Sequence, residues 1–149
     1  MLSSTKGKGM NRAEVLDFVR KCETSYMATL ENGEPRVRAM DTPHVDDRGL
    51  TFCTGAGKDV CRQLIAHPGV ELCYWNATEG VQIRIRGEME KLSDPALLKH
   101  IVETRFTFLI PVVEKHGWDS LCLFRLSGGE VRTWSPRNLA GFDSEVFGF

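Results

Sequence analysis

Asn32-Gly33 stands between two extended segments, Ser25 to Glu31 and Pro35 to Val45. Both positions of a two-residue hairpin turn want positive φ, so Asn-Gly at this place predicts an antiparallel pair. A second turn, Asp46-Asp47-Arg48-Gly49, leads into Leu50 to Thr54 and extends the pair to a three-stranded meander. Gly55-Ala56-Gly57 breaks that strand. Lys58 to His67 follows, with Val60, Leu64 and Ile65 on one face and Pro68 as a stop, which predicts a short helix. Val70 to Trp75 and Gly80 to Leu92 read as strands four and five. Leu121 to Leu126 and Glu130 to Trp134 read as a closing hairpin around Ser127-Gly128-Gly129. Strands this closely spaced leave no room for repeated parallel crossovers, which excludes a doubly wound sheet.

Helices fill the gaps. Asn11-Arg12-Ala13-Glu14 has the cap-x-x-Glu spacing of a helix start, and Val15, Phe18, Val19 and Cys22 recur at helical intervals over 12–23. Ser93-Asp94-Pro95 opens another helix, whose buried stripe is Leu97, Leu98, Ile101 and Val102. Phe106 to Trp118 fits neither pattern cleanly. Six or more short antiparallel strands with interposed helices predict a mainly β fold, a compact β-barrel with peripheral helices. A chain of 149 residues is expected to form one domain and to bury roughly 70% of its unfolded surface. The polar, Gly/Ser/Lys-rich residues 1–10 read as a flexible tail, and 11–149 as the single domain.

Lys plus Arg total 19 against 20 acidic residues. That balance speaks against a nucleic-acid partner, whose phosphate contacts need a basic excess. No apolar run is long enough for a membrane-spanning helix, and no signal-peptide core precedes the first helix. Cys22, Cys53, Cys61, Cys73 and Cys122 are odd in number and form no CxxC, the pattern of reduced cytoplasmic thiols. His44, His67, His100 and His116 show no metal spacing, so no metal site is expected.

Gly55-Ala56-Gly57-Lys58-Asp59 fails as a phosphate loop of the GxxxxGK[ST] type, because Phe52 replaces the first Gly and Asp59 the Ser/Thr. It fails as GxGxxG at Val60. A physical site survives the failed motifs. A strand ends at Thr54, a Gly-rich turn follows and a helix opens near Lys58, so N–H groups, a hydroxyl and an ammonium converge where a phosphate can sit. The alternative is a solvated loop. Strand alternation also puts Arg36, Arg38 and Met40 on one face, and Gln82, Arg84 and Arg86 on one face of a later strand. Such faces bind an anion, or their arginines pair with neighbouring carboxylates such as Glu34. Trp134 ends the last strand, either as a core plug or as a ligand stack.

Taken in order, ATLENGEPRVRAM, LTFCTGAGKDVCRQLIAHPGVELCYW, VQIRIRGEMEKL and LFRLSGGEVRTWSPRNL resemble the pyridoxamine 5′-phosphate oxidase-like family. The resemblance runs from about Ser25 to Arg137 and implies a six-stranded antiparallel FMN-binding split barrel. It implies that Arg38 meets the FMN phosphate and flavin edge, that Met40 and the backbone around Ala39 line the ring, and that Thr54 and Lys58 hold the phosphate. Gln82 would approach the flavin from a partner subunit, with Trp134 near the cofactor and Arg84 close to the ring. Arg36 and Arg137 are further matches. The site of this family lies between subunits, which implies a homodimer.

The phosphate loop is shortened to Gly57-Lys58, and the C-terminal Arg-Leu-His-Asp-Arg that grips the vitamin phosphate is absent. Oxidation of pyridoxamine phosphate itself is therefore not expected. The expected protein is a cytoplasmic flavoprotein and FMN-dependent oxidoreductase, moving hydride or electrons from a reduced nicotinamide or other donor to a small molecule. A flavin carries its own redox chemistry, so no catalytic side chain is assigned. The alternatives are an electron carrier without a dedicated substrate, or a split barrel that holds haem or a deazaflavin.

Overall fold

The computed structural model describes residues 10–136 and 146–149. Residues 1–9 of the expected tail, and Arg137, lie outside that range. Helix α1 (Arg12–Lys21) is capped as its sequence requires, with the Asn11 side chain accepting from the Glu14 N–H at 2.9 Å. Strands β1 (Thr24–Glu31) and β2 (Glu34–Asp41) form the hairpin, and Asn32 and Gly33 take the positive φ of 52° and 76° that the turn needs.

The run from Pro35 to Val45 does not stay one strand. Thr42 and Pro43 separate β2 from β3 (His44–Asp46), which joins a different sheet with β4 (Gly49–Gly55). Pro43 has no N–H to give a ladder, so the chain changes sheets there. Helix α2 (Asp59–Ala66) is followed by β5 (Gly69–Asn76) and β6 (Val81–Glu88). The expected fifth strand also divides, because the Met89 N–H turns aside to the Pro68 carbonyl at 2.8 Å before β7 (Glu90–Leu92). Gly87 permits a close crossing at this bend, since a Cβ there would lie 2.6 Å from the Gly128 carbonyl oxygen.

Asp94 caps α3 (Pro95–Thr104) through the Leu97 N–H at 3.0 Å, with Pro95 in the first turn. The stretch that resisted assignment is α4 (Ile110–His116) between two single 3₁₀ turns, Thr107–Leu109 and Trp118–Ser120. Strands β8 (Leu121–Leu126), β9 (Glu130–Trp134) and β10 (Val146–Gly148) complete the chain.

The barrel is therefore built from two antiparallel sheets rather than from six strands alone. One has the order β10-β9-β6-β5-β1-β2, the other β3-β4-β8-β7. Met27, Phe52, Leu72, Ile85 and Phe124 fill the space between them, joined by Val15 and Val19 of α1 and Val60 and Leu64 of α2. A second cluster packs Leu97, Ile101 and Val102 of α3 on Cys53, Leu121 and Leu123 of the smaller sheet. Edge strand β2 is left uncovered, and Val37 on it is 69% exposed. No helix among the described residues is long and apolar enough to cross a membrane.

Candidate functional site

Where β2 passes the start of α2, the two elements enclose an open cleft of about 500 Å³. Arg36, Arg38, Ala39 and Met40 line one side, and Thr54, Lys58, Asp59, Val60 and Gln63 the other. Six positions named from the sequence thus meet in one place. The Gly-rich turn is fixed by its backbone: the Ala56 N–H donates to Ser120 at 2.7 Å and the Lys58 N–H to Gly55 at 3.1 Å. Lys58 is the N-cap of α2 and offers no side-chain cap bond. The Lys58 stem folds back over Gly55, where a Cβ would meet Lys58 Cγ at an ordinary contact distance of 3.5 Å.

Arg38 is the half-buried cation of the cleft. It shares the barrel-facing side of the sheet with its cross-strand partner Met27, which is fully buried. Its Nη1 donates to the Met27 carbonyl at 3.2 Å and to Thr29 Oγ1 at 2.7 Å, and its Nη2 donates to Gln63 Oε1. Every one of these acceptors is neutral. Among the described residues no carboxylate lies within 4.0 Å of Arg38, whereas Arg36 pairs with Glu34 at 3.4 Å and Glu31 at 3.8 Å. Burial lowers the Arg38 pKa, and Asp59 and Glu31 at longer range work against that shift. The result is a fixed guanidinium whose charge has no close counter-ion.

Gln63 is the residue that sequence reasoning missed. It is 3% exposed on α2, accepts from Thr29 Oγ1 at 2.6 Å as well as from Arg38, and donates to Glu31 at 3.1 Å. Glu31 is held as a carboxylate, its pKa lowered first by the Arg62 bond and then by Gln63. The available signal was a polar Gln placed between Val60 and Leu64 on the apolar side of a short helix.

Gln82, Arg84 and Trp134 lie elsewhere. Cross-strand register links Trp75 to Gln82 and Gln82 to Trp134, a single row across β5, β6 and β9. The Trp75 and Trp134 rings are 6.2 Å apart. Ile83 and Ile85 of β6 point into the core, so alternation puts Gln82 and Arg84 on the outer face of the sheet, opposite Arg38. Arg84 is paired with Glu71 at 3.2 Å. Within one chain the two groups therefore cannot share a ligand.

A family model described as pyridoxamine 5′-phosphate oxidase matches residues 12–135. The chain belongs to that family. Over 62 residues it is 39% identical to a pyridoxine/pyridoxamine 5′-phosphate oxidase of Thermosynechococcus vestitus, which covers 42% of this chain and 29% of that protein. The chain thus spans less than a third of that curated relative. Among solved structures, a NimC/NimA family protein from Clostridium acetobutylicum superimposes with a TM-score of 0.70 at 23% identity, covering 92% of this chain and 91% of that one. A pyridoxamine 5′-phosphate oxidase-related, FMN binding protein from Nostoc punctiforme gives a TM-score of 0.65 at 15% identity, covering 96% and 91%. These likenesses establish the split-barrel fold.

Proposed function

We propose that the cleft between β2 and α2 binds FMN and that the protein is an FMN-dependent oxidoreductase acting on a small molecule. The observation that carries this reading is Arg38, a rigidly held guanidinium without a close carboxylate, facing Lys58 and Thr54 across the cleft. Two cations, a hydroxyl and the start of α2 are the donor set a phosphate monoester needs. Met40 and Val60 add apolar surface for a flat ring, and the cleft volume falls in the range of cofactor sites. Membership in the family supports the same ligand.

When bound, FMN supplies the redox chemistry of the site. The chain's own contributions are binding and electrostatics. Lys58 and Thr54 would hold the phosphate, Arg38 would reach the phosphate and the ring edge, and Ala39 and Met40 would line the ring. Arg36, already engaged by Glu31 and Glu34, contributes only at the rim.

The active unit in this reading is a homodimer. Tyr26, Leu30, Val37 and Trp75 are all large, apolar and more than 40% exposed, and alternation puts them on the outer face that also carries Gln82, Arg84 and Trp134. A cluster of exposed apolar side chains of this kind marks an interaction surface. A second copy brought against it would deliver its Gln82, Arg84 and Trp134 to the cleft, where the amide and the Glu71-paired guanidinium would border the ring.

The visible absorption spectrum of freshly purified protein, with the released ligand identified by mass, tests the cofactor. A yellow protein releasing FMN is expected. A haem band, a deazaflavin, or a colourless protein that takes up no added FMN contradicts the reading.

A further inference from the structure

Beneath the floor of the cleft, Cys61 of α2 and Cys122 of β8 place their sulfurs 2.8 Å apart. Both are nearly buried, at 2% and 6% exposure, and both belong to the main core. Two sulfurs that are merely packed sit farther apart than this, whereas a disulfide bond is about 2.05 Å. The separation of the two sulfurs exceeds a bond length by less than an ångström. Cys122 is also reachable from outside. It lines a second cavity of about 300 Å³, whose wall includes Trp118, Leu98 and Lys91.

We propose that Cys61 and Cys122 are a thiol–disulfide couple, oxidised by a small disulfide that enters through this cavity. The Cys122 thiolate attacks one sulfur of the incoming disulfide, forming a mixed disulfide and expelling a first thiolate, which takes up a proton. The Cys61 thiolate then attacks Cys122 Sγ, forms the intramolecular bond and expels the second thiol. Two protein thiols are oxidised, one small disulfide is reduced to two thiols, and the protons of Cys61 and Cys122 end on the leaving groups. Lys91, which acts electrostatically on Cys61 in favour of the thiolate, stands at this cavity.

The bond would change the cleft without touching its ligand. Cys61 lies three residues after Lys58 and two before Gln63 on α2, and Cys122 is the cross-strand partner of Thr54. Linking them ties the helix that carries Lys58 and Gln63 to the sheet that carries Thr54. Closing so long a loop also restricts the unfolded chain, which raises the thermal midpoint by about 10 °C.

The test treats the folded, reduced full-length protein with bis(2-hydroxyethyl) disulfide well below its melting temperature. Remaining thiols are then alkylated and the peptides mapped by mass. The expected product is a Cys61–Cys122 cross-link, released by dithiothreitol. In Cys61→Ala the mixed disulfide is expected to persist on Cys122. Half-buried Cys22 reports that the oxidant was active. If it is modified while Cys61 and Cys122 are recovered as free thiols, or if the link appears only in denaturant, the proposal is overturned. None of these outcomes depends on whether the cleft holds FMN.

Discussion

The Arg38 guanidinium is held by the Gln63 side-chain oxygen, although the two residues are 25 positions apart and sit on a strand and a helix. The same oxygen accepts the Thr29 hydroxyl at 2.6 Å, so one amide fixes two donors beneath the cleft. Replacing Gln63 separates its structural role from its electrostatic one. Gln63→Leu leaves Thr29 and Arg38 without that acceptor and should cost about 1–3 kcal/mol, read as a thermal midpoint lower by several degrees. Gln63→Glu keeps acceptors but neutralises Arg38. It also removes the N–H donor to Glu31 and sets two carboxylates together, so it is expected to lower the thermal midpoint as well. FMN affinity should fall on the order of tenfold, with little change for riboflavin. Equal losses for both ligands would mean that Gln63 shapes the ring pocket instead.

The outer sheet face yields a test of assembly. Val37 is 69% exposed, so a charge there costs the isolated chain little, yet buries badly against a second copy. Val37→Asp should give a folded monomer by circular dichroism and sedimentation, with FMN affinity reduced at least about tenfold because Gln82 and Trp134 of the other copy are lost and because Val37 also borders the cleft. A Val37→Asp protein that stays dimeric with full FMN content would place the interface elsewhere.

One source of acid-sensitive stability is the Asp46 carboxyl. Burial pushes the Asp46 carboxyl up, but the Arg48 side-chain and backbone N–H groups, with His44, outweigh it and hold its pKa at about 2. A carboxyl whose folded pKa lies below its unfolded value of roughly 3.9 adds stability above that value and loses it as pH falls toward 2. Arg48 is more than half exposed, so screening reduces the contribution to about 1 kcal/mol. Urea melts of wild type and Asp46→Asn should differ at pH 6 and converge near pH 2. A difference independent of pH would remove the ion pair from the explanation.

The thiol pair carries its own pH dependence. Burial first, then the contact with Cys122, pushes the Cys61 thiol up to about 12, against the opposing pull of Lys91. Since a thiolate is the nucleophile at both exchange steps, cross-linking should speed up as pH rises from about 7 to about 10. Quenched time points read by mass would show it. A flat rate would mean that opening of the structure, not ionisation, limits the reaction.

Much of this architecture was legible in the chain because local rules and tertiary packing agree. Asn32-Gly33 set the hairpin and its register, and Asp94-Pro95 set the start of α3. The meeting of Thr54 and Lys58 at one side of the cleft followed from the strand end and the helix start. Where reading fell short, non-local contacts decided. The strand divisions at Pro43 and Met89 depend on which sheet each half meets, and the Met89 turn is held by Pro68, far away in sequence. β10 pairs with β9 across a long connection, a partnership that alternation in three residues cannot announce. Gln63 stood out only as a polar residue on an apolar helix face, since its partners Arg38 and Thr29 lie on other elements.

The central claim is that Arg38 and Lys58 recognise a phosphate carried by a flavin. Its most direct test is fluorescence titration of wild type, Arg38→Ala and Lys58→Ala with FMN and with riboflavin, which lacks the phosphate. Loss of a charge-assisted bond of about 1.5–3 kcal/mol should weaken FMN binding roughly 10- to 150-fold in each variant, with riboflavin binding much less affected. Equal loss of FMN and riboflavin in both variants, or no loss of FMN in either, would contradict it.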